Sequence, residues 1–356
     1  MKPSRLLTIL VHEWVTGGGM AGELPPASWA AEGQAMRRAV AADFAAIREP
    51  ATRVIVTLDQ RLGDDPGPWT IVPMEARDAR SRLIDLASRA DYTVFIAPET
   101  SGVLAGLTRN LEAAGARCLG CSAESIELAG NKLRLGEWLR ARGIPTPHCR
   151  RIVPAEGLPD DFPYPAVLKP IDGAGSVDTF WIADQQSLPA AACGMPVGLL
   201  QPFHEGTPMS ASFLVTENQQ AWLIGLGQMR IAIRESRFVY EGGVLPIHCP
   251  EAVSVLRQAV ESVPGLRGLV GVDYLWTPDR REVTVLEINP RATTSYVGLR
   301  RLLPEGCLAC AWLSASGIRQ SRSVSLPDLA ERVTRQALVC FDATGNAWPM
   351  ERGVLL

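Results

Sequence analysis

Apolar residues along this chain fall into short continuous runs separated by stretches with helical spacing. Residues 5–12 (RLLTILVH) form a run without polar alternation, which predicts a parallel strand buried on both faces. A Gly17-Gly18-Gly19 loop follows, and an Ala-rich helical stretch covers about 28–48. Runs at 53–58 (RVIVTL) and 92–97 (YTVFIA) repeat the strand signal, each followed by a helical pattern, and a shorter strand is expected at 116–119. Strands alternating with helices predict a parallel α/β unit that ends near residue 127.

In 131–142 (NKLRLGEWLRAR), Leu133, Leu135, Trp138 and Leu139 recur at helical spacing, and Gly143 stops the helix. A Pro-rich stretch leads to a strand at 166–170 (AVLKP), then a glycine loop and a second strand, 177–182. From 199 the signal is mainly β, with runs at 199–203, 209–216, 220–228 and 237–240. A helix at about 250–263 precedes strands 268–276 and 282–289, joined as a hairpin through Thr277-Pro278-Asp279. Helical residues 296–315 follow, and the tail beyond Ser316 offers one strand candidate, 337–342. The expected division is an N-terminal α/β domain (1–127), a small lobe (128–198) and a large lobe (199–356).

Composition narrows the function. The 356 residues are 47% hydrophobic and 21% charged, too apolar for a disordered chain. Thirty-five basic against 38 acidic side chains leave no basic footprint for nucleic acid or an acidic membrane. The first apolar run is shorter than a signal-peptide core, and none approaches the roughly 18 residues of a membrane span. Eight cysteines in such a chain point to reduced thiols in a cytoplasm. Cys118/Cys121 and Cys307/Cys310 have zinc-like CxxC spacing, but their apolar strand and helix contexts favour core packing. Among the basic residues only Lys2, Lys132 and Lys169 are lysine. Arginine does not replace a compact ammonium, so the interior lysines mark places to look.

Lys169 is followed by Asp172-Gly173-Ala174-Gly175-Ser176. Small residues let backbone N–H groups approach oxyanions, and a lysine supplies a point charge for phosphate. The P-loop order is absent, and an ordinary glycine hairpin has the same pattern. In the late hairpin, Glu287 and Asn289 share one strand face, and Asp273 joins them if the strands are in register, with Ile288 turned to the other side. Three oxygen donors on strands suit Mg²⁺, which takes its remaining ligands from water and phosphate. The flanks GLVGVDYLW and VTVLEINP argue against a solvent-facing polar edge. Arg291 follows Pro290, and its donor fork suits a phosphoryl group or an acyl phosphate.

Four blocks, NKLRLGEWLRARGIPTP, YPAVLKPIDGAGS, LLQPFHEGTPMSASFLV and GVDYL…VLEINPR, occur in the order of the ATP-grasp superfamily, which the chain resembles over residues 5–315. HEWVTGGG together with EINPRATTSYVGLR is similar to carboxylate–amine ligases of the tyramine–glutamate ligase type, from methanofuran-like cofactor biosynthesis. The resemblance implies an α/β ATP-grasp fold with α+β lobes behind a parallel α/β pre-ATP-grasp domain. It implies ATP and Mg²⁺ (or Mn²⁺) as cofactors, and small-molecule carboxylate and amine substrates joined through an acyl phosphate. Lys132 and Lys169 would contact the nucleotide phosphates, and Gly173, Gly175 and Ser176 would close over them. Val167 and Leu286 would flank the adenine, with the backbone at Gln201 and Phe203 bonding its edge. Asp273, Glu287 and Asn289 would hold the metal, while Lys169 and Arg291 would act in catalysis. Gln228, Tyr240, Gly243, Thr293 and Ser295 are the implied acceptor-site residues. Pro208 departs from the pattern, standing where many relatives place a ribose-binding glutamate; the ribose would be held by Glu205, by backbone, or loosely.

Other readings stay open. The Gly17–Gly19 loop either borders the substrate cleft or is a plain strand-to-helix turn. The chain could be another ATP-grasp ligase with a different acid and amine, or a nucleotide-binding protein that kept the fold without catalysis. A dinucleotide-binding oxidoreductase is disfavoured, because GxGxxG is incomplete and an acidic ribose partner is missing. No nucleic acid or membrane partner is implied, and a homo-oligomer is compatible with the sequence.

Overall fold

The computed structural model describes residues 6–20, 22–63, 65–173, 176–318 and 324–350. The N-terminal unit contains β1 (Leu7–Glu13), α1 (Ala27–Ala45), β2 (Thr52–Asp59), β3 (Thr70–Met74), α2 (Ala79–Arg89), β4 (Tyr92–Ile96) and α3 (Val103–Ala113). Its four strands are parallel, in the order β3-β2-β1-β4. Helices cover both faces, so Ile9, Leu10 and Val11 are all fully buried, as the unbroken apolar run predicts. β3 carries no strand signal because Pro73 interrupts it; it is an edge strand, where the missing N–H has no ladder to break. Residues 116–119 do not make the expected strand: Cys118 forms one parallel bridge to Thr93, and the Leu119 carbonyl accepts the Trp312 indole N–H (2.7 Å).

Two short helices, α4 (Ala123–Gly130) and α5 (Lys132–Arg140), lead into β5 (Arg150–Ile152), β6 (Ala166–Pro170), β7 (Phe180–Ile182) and β8 (Gly198–Pro202). These strands enclose a small core of their own, in which Leu158, Leu168, Phe180, Ile182 and Leu200 meet. β7 is shorter than the predicted 177–182, because Ser176 and Asp178 take positive φ (59° and 52°) and turn the chain first.

The remaining strands are β9 (Thr207–Val215), β10 (Ala221–Arg234), β11 (Arg237–Leu245), β12 (Gly268–Thr277) and β13 (Glu282–Asn289), with α6 (Pro250–Ser262) before β12. They extend the small-lobe strands into one antiparallel sheet, β13-β12-β9-β10-β11-β7-β6-β8-β5. β10 runs six residues past its predicted end, into the arginine-bearing RIAIR, and turns at Glu235-Ser236. The predicted helix 296–315 is two helices, α7 (Ser295–Leu299) and α8 (Cys307–Ala315), separated at Pro304 and Gly306 (φ 75°). The tail adds α9 (Leu326–Thr334), β14 (Val339–Asp342), which pairs with β11, and β15 (Ala347–Pro349). The N-terminal unit is fastened to the large lobe through one shared core, where Phe44 of α1 meets Trp312 of α8. Among the described residues no helix is long and apolar enough to cross a membrane.

Candidate active site

A cleft of about 1330 Å³ lies where the N-terminal unit, the small lobe and the β12–β13 hairpin meet. β6 delivers its first cation. Leu168 points into the small-lobe core, so alternation sends Val167 and Lys169 to the cleft side. Lys169 is 8% exposed, and burial pushes its pKa below the ordinary lysine value against the pull of Glu287. The second cation opens α5, whose start is capped by the Asn131 side chain accepting from the Arg134 N–H (3.0 Å). Lys132 Nζ donates to the Gly173 carbonyl (2.7 Å) and pairs with Glu287 Oε2 at 3.2 Å.

Across the cleft the β12–β13 register places Asp273 directly opposite Glu287 and Gly271 opposite Asn289. The Asn289 Nδ2 donates to Asp273 Oδ2 (3.2 Å), and Ile288 turns into the core at 2% exposure. Two carboxylates thus share one half-buried face. Burial first, then the adjacent charge of Glu287, pushes Asp273 well above the usual carboxylate range. Burial works upward on Glu287 too, but Lys132 and its other partners outweigh it and hold its pKa low. Paired half-buried carboxylates with a neighbouring amide oxygen are a donor set for a hard divalent cation.

Arg291 lines the cleft and is anchored from behind. Its Nε and Nη2 donate to the two Glu99 oxygens (2.9 and 3.2 Å), a bidentate pair between the hairpin and the loop after β4. The same loop reaches the glycine turn, with the Ser101 N–H donating to Asp172 Oδ2 (2.7 Å). Asp172 and Gly173 are therefore stitched both to the N-terminal unit and to Lys132.

The match to known proteins follows the same outline. An ATP-grasp domain model matches residues 129–295, and a pre ATP-grasp 3 domain model matches 52–126. A tyramine–L-glutamate ligase of Methanocaldococcus fervens is 30% identical over 233 residues, covering 63% of this chain and 67% of that protein. The chain is an ATP-grasp ligase. Its branch is that of the ATP-dependent, C–N-bond-forming carboxylate–amine ligases that resemble tyramine–L-glutamate ligase. A second such ligase, from Methanocaldococcus jannaschii, is 31% identical over 214 residues, 59% of this chain and 58% of its own length. A solved ATP-grasp superfamily protein of Archaeoglobus fulgidus superposes with a TM-score of 0.65 at 23% identity, over 94% of this chain and 92% of the other. The mixed α/β ATP-grasp fold behind a parallel α/β domain is the one expected.

Within the ATP-grasp ligase the remaining expected residues separate into two groups. Val167, Gly173, Ser176, Gln201, Phe203, Leu286, Tyr240, Thr293 and Ser295 all line the cleft. Gln228 and Gly243 do not: cleft-facing Met229 and Ile231 take the alternate positions of β10, and Gly243 is packed under Phe341. Gly175 lies outside the described residues. Phe203 cannot offer its amide to an adenine, because that N–H is donated to the Pro165 carbonyl (2.9 Å). Glu205 is exposed and outside the cleft wall, which Pro208 joins. The Gly17–Gly19 loop is a plain turn, with Gly19 N–H donating to the Trp14 carbonyl (2.8 Å), and it stays clear of the cleft. Burial pushes the Cys118 and Cys121 thiols up to about 12, the reverse of what a zinc-binding thiolate needs.

Three residues that line or brace the site carried no signal in the sequence. Glu99 sits in an unremarkable PET turn, and Trp29 and Glu32 belong to a helix readable only as Ala-rich. Glu32 accepts from the Thr294 hydroxyl across 262 positions of sequence.

Proposed function

We propose that this ligase joins L-glutamate to tyramine, or to a similar primary amine, with ATP and Mg²⁺ as cosubstrate and metal. The observation that carries the chemistry is that Lys132, Lys169, Asp273, Glu287, Asn289 and Arg291 face one cleft from separate parts of the chain. The choice of glutamate and tyramine is supported by the names of the two Methanocaldococcus relatives. The amide product suits the assembly of a methanofuran-like one-carbon cofactor, and a cytoplasmic location goes with an ATP-consuming step of that kind.

Lys132 and Lys169 present two ammonium groups to the phosphate oxygens. Asp273, Glu287 and Asn289 would hold Mg²⁺, which when bound neutralises phosphate charge. Val167 and Leu286 flank the base. With the Phe203 amide spent, the adjacent His204 N–H, which makes no hydrogen bond among the described residues, takes the donor role at the adenine edge. The ribose is left to backbone. The substrate carboxylate attacks the terminal phosphorus, ADP departs, and the resulting acyl phosphate is attacked by the amine nitrogen as phosphate leaves. Arg291, fixed by Glu99, steadies the acyl phosphate and then the oxyanion. Tyr240, Thr293 and Ser295 shape the acceptor end, and the stitched Asp172-Gly173 turn keeps water from the acyl phosphate.

The test is ADP release with L-glutamate and a panel of amines that includes tyramine, followed by mass analysis of the product. Lys169→Ala and Glu287→Ala should each lower amine-dependent turnover by about 10²-fold or more. Near-normal turnover in either variant overturns the assignment.

A further inference from the structure

We propose that the cleft-facing side of α1 is an amine-recognition subsite, in which Glu32 receives the ammonium and Trp29 the aryl-alkyl body of the second substrate. The inference rests on the amide-forming reading above and adds which residues select the amine.

Trp29, Glu32, Gly33 and Met36 recur at i, i+3, i+4 and i+7, one face of a helix, and all four line the cleft. That face is held in place. A Cβ at position 33 would run into the Glu13 carboxylate, so glycine lets α1 close onto β1. Glu13 is itself pinned by the Val15 N–H (2.9 Å), the Thr16 N–H (2.8 Å) and the Thr16 hydroxyl (2.7 Å). Glu32 therefore projects from a fixed surface.

Its pairing sets it apart from the other carboxylates of the cleft. Glu13 takes three hydrogen bonds, Asp172 takes the Ser101 N–H, and Asp178 pairs with Arg237 (3.3 Å). Asp273 and Glu287 are engaged with each other, with Asn289 and with Lys132. Glu32 alone among them has neither an N–H donor nor a salt bridge among the described residues; the Thr294 hydroxyl donates to it, and the Arg291 guanidinium acts on it only at longer range. An amine substrate reaches the enzyme as an ammonium ion, and a half-buried carboxylate with one hydroxyl partner is a complementary receptor for it.

Position supports the same conclusion. Thr294 lies three residues after Arg291, and the charge of Glu32 acts on both Arg291 and Tyr240. An ammonium held there stands next to the residues that would steady the acyl phosphate, and it passes a proton to the Glu32 carboxylate before the freed nitrogen lone pair attacks the acyl carbon and phosphate leaves. One turn along the helix, Trp29 keeps 41% of its surface exposed, although it is among the largest apolar side chains of the chain. Met36 lies on the same helix face, and both side chains line the cleft, an apolar surface suited to an aromatic ring.

The experiment compares two nucleophiles on the same activated carboxylate. Hydroxylamine is neutral near pH 7 and needs no carboxylate receptor, so hydroxamate formation from L-glutamate reports activation, and amide formation with 2-phenylethylamine reports amine capture as well. Glu32→Gln keeps the side-chain length and the Thr294 partner. We expect its amide-to-hydroxamate ratio to fall tenfold or more, with a raised KM for the amine. Trp29→Ala, at an exposed position, should lower the kcat/KM preference for 2-phenylethylamine over ethylamine at least fivefold. An unchanged ratio in Glu32→Gln, including equal loss of both products, overturns the subsite. So does an unchanged amine preference in Trp29→Ala. Wild-type protein that makes neither product from any acid and amine sinks the amide-forming reading itself, an outcome visible before any variant is compared.

Discussion

Replacing Glu99 removes one half of a buried, bidentate ion pair and leaves the other half in place. The Glu99 side chain is 4% exposed and that of Arg291 11%, and the two are joined by hydrogen bonds of 2.9 and 3.2 Å. Stranding one partner of such a pair costs about 3–5 kcal/mol. Glu32 and Glu287 still act on the guanidinium, so Glu99→Ala should fall at the low end, about 3 kcal/mol. Glu99→Gln keeps a carbonyl acceptor for one N–H, and about half of that loss is expected. At about 2 °C per kcal/mol for a chain of this length, the melting temperature should drop by about 6 °C for alanine and about 3 °C for glutamine. The assay is thermal unfolding with and without Mg²⁺ and a non-hydrolysable ATP analogue. If Arg291 reaches the phosphates, the analogue supplies the missing negative charge and the alanine deficit shrinks to less than half. An alanine variant that melts within about 1 °C of wild type refutes the energetic argument. A deficit that ignores the analogue refutes the placement of Arg291 beside the phosphates.

Gly33→Ala gains about 1 kcal/mol of helix propensity but displaces Glu13 from charged hydrogen bonds worth about 1.5–3 kcal/mol each. A net destabilisation of about 2 kcal/mol is expected in a denaturant melt, and a more stable variant would contradict the packing. His12 is buried, and burial, followed by Arg37, lowers its pKa to about 3 from 6.5. Below pH 6.5 the unfolded chain binds a proton that the folded chain refuses. Its contribution to stability is thus full above pH 6.5 and is lost as the pH falls toward 3, at up to about 1.4 kcal/mol per unit. Glu13 has a raised pKa and acts in the opposite sense, but it is present in both proteins when His12→Asn is compared with wild type. The variant should show the flatter acid limb in stability against pH, and coincident limbs would refute the assignment. Lys132→Arg puts a planar guanidinium where a compact ammonium bridges Gly173 and Glu287, and the KM for ATP should rise about tenfold. An unaltered KM would show that the site does not discriminate between the two cations.

The parts legible in the sequence were those in which local pattern and global fold obey the same rule. The β1 run has no polar position because both faces of a parallel strand are covered, and Glu287-Ile288-Asn289 alternates because a hairpin strand has one cleft side and one core side. The lysines stood out for a related reason. In a chain that, apart from Lys2, otherwise uses arginine, Lys132 sits between Glu287 and the Gly173 carbonyl and Lys169 is buried at the cleft wall within the influence of Glu287. What the sequence concealed depends on contacts between distant segments. Glu99 matters because Arg291 lies against it, 192 positions away, and Glu32 because Thr294 does, 262 positions away. Neither has a spacing rule to announce it. Gln228 and Gly243 failed for the complementary reason. They lie on strands that do border the cleft, but Gln228 alternates with cleft-facing Met229, and Gly243, although it pairs with Met229, is covered by Phe341 of β14. The separation is therefore chemical as well as geometric. Lys169, Asp273, Glu287 and Asn289, which would meet phosphate and metal, sit on strands whose own alternation positions them, whereas Trp29 and Glu32, which would choose the amine, sit on α1 and acquire a role only through the lobe opposite. Selectivity in such a ligase can drift by substitution on α1 while the activating machinery of the β12–β13 hairpin is left untouched.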